Sequence, residues 1–136
     1  MAERELRLEE EHRLLSSVFP GIVRSGDWFL IPDDARATRV GWSPDPFRVA
    51  FHAQPKHPGQ VPYGIYVGSD VRFRGQVPNN FKPHCGQRPP FEGAWGVLSW
   101  QGDGQGIQWV PAARIREGAN LLNFALTFQE RFNEGV

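Results

Sequence analysis

Residues 47–67 read FRVAFHAQPKHPGQVPYGIYV, and the expected architecture grows out of this stretch. Phe47, Val49 and Phe51 alternate with Arg48, Ala50 and His52, the period-two pattern of a strand that buries one face. The prolines and glycine of residues 54–62 break that strand and mark a turn region. Tyr63–Val67 (YGIYV) is again β-branched and aromatic, a second short strand. His52 falls on the opposite face to Phe51, where a solvated or edge-satisfied imidazole is expected and no role is assigned.

Upstream, residues 22–32 (IVRSGDWFLIP) predict extended chain, with Ser25-Gly26 as a turn or bulge and Trp28–Ile31 as a buried strand. Residues 33–46 read mostly as connection, with brief pairing over Thr38–Trp42. Downstream, Val71-Arg72-Phe73 continues the pairing before Gly75.

Helices are expected at both ends. In residues 3–17, Leu8, Leu15 and Phe19 recur at helical spacing, with Leu14 and Val18 widening the stripe. The remaining Glu- and Arg-rich face is expected to be solvated. Phe19-Pro20-Gly21 stops this helix, since proline cannot extend it and glycine permits the turn. Near the other end, Pro111 opens a helical region of a turn or two over residues 112–117, interrupted at Gly118. Asn120 then caps a longer helix in which Leu121, Phe124, Ala125, Phe128 and Phe132 form an apolar stripe, with Arg131 near its end to suit the helix dipole. The expectation is a single α+β domain over residues 1–136. It has an N-terminal helix, a three- to four-stranded antiparallel meander, a long ordered loop, and C-terminal helices packed on one face.

Composition narrows the function. The 136 residues suit one domain with a modest core. Lys plus Arg equals Asp plus Glu at 15 each, which argues against nucleic acid or an anionic membrane as the main partner, because both select a basic surface. The charged start, MAERELRLEEEHRLL, lacks the apolar core of a secretory signal. No run reaches the ~18 apolar residues that a membrane span requires. A single cysteine excludes an internal disulfide. A cytoplasmic location is expected.

Chemistry concentrates in residues 77–109, VPNNFKPHCGQRPPFEGAWGVLSWQGDGQGIQW. A segment this irregular is functional or disordered, and disordered segments are poor in aromatics, whereas this one holds three of the chain's five tryptophans. Cys85, the sole thiol, lies between His84 and Gly86 in a polar loop. Its thiolate would be favoured by nearby positive charge, which His84, Lys82 or Arg88 could supply. Asn79 or Asn80 could donate an amide N–H to the oxyanion of a thioester under attack. Residues 102–106 (GDGQG) precede Trp-Val-Pro rather than a phosphate-binding helix. They are expected to form the tip of a tryptophan-anchored hairpin between Val97–Trp100 and Ile107–Val110. A cysteine-protease arrangement using His52, His57 or His84 lacks a signature around Cys85. Metal binding by the same histidines lacks ligand spacing and acidic company.

The element order and several short motifs resemble the divergent prokaryotic branch of the ubiquitin-conjugating enzyme superfamily. QPKHPGQVPYGIYV is similar to that superfamily's proline-laden turn leading into its fourth strand. Trp109-Val110-Pro111-Ala112 is similar to its Trp-Ser-Pro-Ala before the helix that follows the active site. Gly93-Ala94-Trp95 through Ser99-Trp100-Gln101 resembles the tryptophan-serine segment of some prokaryotic members. The resemblance implies that Cys85 accepts a ubiquitin-like protein as a thioester from an activating enzyme and passes it to an amine of a protein target. It also implies that Asn79 or Asn80 stands in for the oxyanion-stabilising asparagine, and that no cofactor is needed. Two features depart from the family pattern. Val77-Pro78-Asn79 replaces His-Pro-Asn, and the interval from Cys85 to Trp109 is lengthened. A non-catalytic adaptor of the same fold, binding a ubiquitin-like protein or a partner subunit, is therefore an alternative. So is a small ligand-binding domain with a pocket made by Trp95, Trp100 and Trp109.

Overall fold

A computed structural model describes residues 3–34, 41–43, 47–55, 57, 62, 64–78, 81–82, 88–98 and 110–134, with backbone alone at 33, 34, 47 and 128–134. Helix α1 spans Glu3–Ser16. It is followed by strands β1 (Val23–Ser25), β2 (Trp28–Asp34), β3 (Trp42–Ser43), β4 (Phe47–His52), β5 (Ile65–Gly68), β6 (Arg72–Phe73), β7 (Phe81–Lys82) and β8 (Trp95–Leu98). A single 3-10 turn, Ile115–Glu117, precedes helix α2, Leu121–Glu134. The class is α+β, as expected.

Six strands form one antiparallel sheet in the order β1-β2-β4-β5-β8-β7, while β3 and β6 pair separately. The first four strands of that order are the expected meander. Gly26, at φ +63°, turns β1 into β2, with Ser25 opposite Trp28; glycine enters this left-handed region without a steric penalty. The β2–β4 register shifts between Ile31 and Asp34. Pro32 lies in that interval and has no N–H to give the ladder.

Each sheet face packs differently. Phe29, Ile31, Val49, Phe51, Ile65, Val67 and Leu98 meet Leu8, Leu15 and Phe19, together with Leu121, Phe124 and Ala125 of α2, in the main core. Phe29 lies directly across the ladder from Phe51, their rings stacked at 5.6 Å, and Phe124 meets Phe51 edge-on at 5.7 Å. Ala50, Tyr66, Trp95 and Val97 form a smaller cluster on the other face, edged by Trp28, Leu30 and Phe91. Tyr66 therefore points away from Ile65 and Val67, yet all three are buried. That explains why β5 carries no polar alternation.

Two expectations require correction. Val97 and Leu98 do not start a hairpin with residues 107–110. Val97 pairs with Tyr66 on one side and Lys82 on the other, and Leu98 with Ile65 and Phe81. Both hydrogen-bonding edges of β8 are thereby occupied; residues 99–109 lie outside the described residues. The charged face of α1 is not wholly solvated either, because Arg7 and Glu11 are buried. The expected cap is present in α2. Asn120 Oδ1 accepts the N–H of Asn123 at 2.9 Å, and Asn123 Oδ1 accepts that of Asn120 at 3.0 Å, a reciprocal capping box. Among the described residues no helix is long and apolar enough to cross a membrane.

Candidate functional site

Cys85, His84, Asn79 and Asn80 lie outside the described residues, but the frame that carries them is described. Asn79 and Asn80 directly precede β7, and Cys85 follows it by three residues. Phe81 pairs with Leu98 and Lys82 with Val97. The Phe81 ring packs on the main core. Gly96 permits this approach: a Cβ there would lie 2.5 Å from Phe81 Cζ and 2.9 Å from the Lys82 carbonyl oxygen. Strand β7, which precedes residues 83–94, is thus pinned in register against β8, which follows them. The chain between Asn80 and Cys85 cannot stretch beyond roughly 17 Å, since an extended residue spans about 3.3–3.6 Å.

The returning half of the loop is tied to the second face of the sheet. Arg88 Nη2 donates to the Gly93 carbonyl at 3.3 Å, and the Trp95 indole N–H donates to that of Phe91 at 3.1 Å. Ser69 N–H, just past β5, donates to the Ala94 carbonyl at 3.0 Å. The Arg48 guanidinium lies over the Trp95 ring, 4.1 Å from its centroid. Trp95 is buried, with one ring face under a guanidinium and its N–H on a backbone oxygen. It packs the sheet rather than lining an open pocket; Trp100 and Trp109 are outside the described residues. Lys82 and Arg88 are both exposed.

A second polar assembly escaped the sequence reading. The Glu11 carboxylate is fully buried and accepts from three directions: Arg7 Nε at 3.2 Å and His57 Nε2 at 2.9 Å on Oε2, and the Leu121 N–H at 3.0 Å on Oε1. Because the carboxylate accepts, the proton in its contact with His57 belongs on Nε2. Arg7 also donates to the carbonyls of Ala112 and Ala119 at 2.8 and 3.4 Å. Leu121 is the first residue of α2, whose opening N–H groups have no partner inside the helix. A carboxylate there also suits the positive end of the helix dipole. One side chain of α1 therefore holds the start of α2 and the turn containing His57. Buried and internally bonded, this cluster is equipped to hold elements together.

His52 is likewise buried. It stacks on Trp28 at 4.3 Å, and its Nε2 lies 3.1 Å from Asp27 Oδ1. The solvated or edge role expected for it is replaced by a packed one. Its sheet face is that of Ala50, whereas His57 sits with Glu11 beside the helices. Among the described residues, no group of three or more His, Cys, Asp or Glu side chains gathers as a metal site would require.

No protein-family profile, curated protein or solved structure matches this chain.

Proposed function

We propose that the protein is a conjugating enzyme of the bacterial ubiquitin-like type, with Cys85 as its acyl carrier. The observation that supports this reading best is the anchoring of residues 81–82 and 88–95, on either side of Cys85 in the sequence. Candidate nucleophile and candidate oxyanion donors flank one two-residue strand, β7, which is held in register at the sheet edge. A catalytic loop needs such a fixed base, because misplacement by about 1 Å can lower rate by roughly 100-fold.

In the reaction, the Cys85 thiolate attacks the thioester carbonyl that joins the modifier to an activating enzyme. That enzyme's thiolate leaves, and a new thioester forms on Cys85. An amine of the protein target then attacks the same carbonyl, loses a proton to solvent or a nearby base, and expels the Cys85 thiolate. Asn79 or Asn80 donates to the oxyanion in each step, and His84 supports the thiolate. The loop contributes position and hydrogen bonds, and no cofactor takes part.

The test is incubation with a cognate activating enzyme, ATP and its ubiquitin-like protein. A thiol-sensitive adduct is expected on the wild-type protein and not on Cys85→Ala. Absence of the adduct with a demonstrably active partner would defeat the reading.

A further inference from the structure

We propose that the groove between α1 and the 3-10 turn is a binding site for a small monocarboxylate with an apolar tail. Glu10, Arg13 and Leu14 of α1 line it together with Ile115 and Arg116 of the turn. Its volume, about 320 Å³, is at the small end of the roughly 300–1,000 Å³ typical of small-molecule sites. Positions 10, 13 and 14 are three and four residues apart, so one face of the helix presents all three. The wall made by the turn is fixed by its own bonds. Arg7 Nη1 donates to the Ala112 carbonyl at 2.8 Å, Asn120 Nδ2 to that of Ile115 at 2.9 Å, and the Glu117 N–H to that of Arg114 at 2.9 Å. Both walls are thus set before any ligand arrives.

The lining selects the ligand. Leu14, itself 5% exposed, and Ile115 supply apolar surface. Of the three charged side chains, two are positive and one is negative, so an anion is favoured. Arg114, on the same turn, is already paired with Glu117 at 3.4 Å. Neither Arg13 nor Arg116 has an ion-pair partner among the described residues. A guanidinium carries N–H donors in a fork that matches a carboxylate. Glu10 narrows the choice, because its own carboxylate repels a second negative charge and disfavours a phosphate dianion against a monoanion. One carboxylate on a chain of a few carbons therefore matches the charge, the apolar surface and the size of the groove together.

Hexanoate is the probe, titrated into the full chain with backbone amide shifts as the readout. Signals of residues 13, 14, 115 and 116 should move, while that of Ser69, bonded to Ala94 on the sheet, should not. Arg13 and Arg116 are exposed, and ion pairs in contact with water are weak, so a dissociation constant of about 1 mM is expected. Hexanamide, which keeps the chain and loses the charge, and acetate, which does the reverse, should each bind about tenfold more weakly or worse. Arg13→Gln and Arg116→Gln should each weaken hexanoate about threefold, and together about tenfold. Shifts elsewhere in these variants should match the wild type, since both side chains lie at the surface. Glu10→Gln should bind hexyl phosphate about threefold more tightly than the wild type does. The site is overturned if residues 13, 14, 115 and 116 stay still up to about 20 mM hexanoate. Equal binding of hexanamide, or unchanged affinity in the double arginine variant, would overturn the assignment of a carboxylate.

Discussion

Replacing Glu11 with alanine should be the most damaging single change outside the main apolar core. The substitution removes an acceptor that serves three donors and leaves the Arg7 guanidinium, 8% exposed, with carbonyl partners alone among the described residues. Removing one partner of a buried ion pair costs about 3–5 kcal/mol, and losing an acceptor at a helix start costs about 1 kcal/mol. Both losses come from one carboxylate and overlap, so about 4 kcal/mol is expected for the whole. For a chain of this length each kcal/mol lowers the melting temperature by roughly 3–4 °C, which predicts a fall of roughly 10–15 °C. Urea unfolding followed by circular dichroism measures the loss, with exposed Glu10→Ala as the control, expected within about 0.5 kcal/mol of wild type. The paired change Arg7→Met with Glu11→Leu should cost less than Glu11→Ala alone, because no lone charge is then buried. A Glu11→Ala protein within about 1 kcal/mol of wild type, or matching Glu10→Ala, would refute the reasoning.

Other expectations are more local. Gly96→Ala should force β7 away from β8, since the new Cβ meets the Phe81 ring and the Lys82 carbonyl; a cost of about 1–3 kcal/mol in urea unfolding is expected. Gly118→Ala should destabilise through backbone crowding, because a Cβ there would stand 2.6 Å from both the Val110 carbonyl oxygen and the Ala112 nitrogen; unfolding midpoints would show no shift if that approach were unimportant. Asn120→Ala removes the cap on Asn123 and a 2.9 Å bond from Nδ2 to the Ile115 carbonyl, for a loss of about 1–2 kcal/mol in the same assay.

Much of the frame was legible because its signals are local. The strand over Phe47–His52, the Gly26 turn and the Asn120 cap each declare themselves within a few residues, and each is present, though β4 buries Ala50 and His52 on the face expected to be exposed. Glu11 was hidden inside Glu9-Glu10-Glu11, a run that looks uniformly solvated. Only its phase separates it from its neighbours: it stands three residues after Leu8 and four before Leu15, on the apolar stripe, with Arg7 four residues earlier. Read by period rather than by charge, it belonged to the core. Arg48 was the polar half of an alternating strand, and nothing in that pattern announces which distant aromatic it will cover. The double pairing of β8 was illegible for the same reason, because partners thirty residues upstream leave no mark on the sequence of Trp95–Leu98. Cys85, His84, Asn79 and Asn80 were conspicuous by residue type, and the two-residue strand Phe81–Lys82 between them in the sequence was not.

The order of β5, β8 and β7 also governs how the protein is assembled in time. During synthesis Phe81 and Lys82 emerge before the strand they will pair with, and the place beside β5 stands open until Trp95–Leu98 arrive to fill it. Pairing β5 with β8 closes a loop of some thirty residues, and such non-local closure is the slow part of building a sheet. Strand β7 can therefore take its final place only after the later strand has docked. A nascent chain halted before Trp95 would hold Phe81 and Lys82 without the ladder they occupy in the finished sheet.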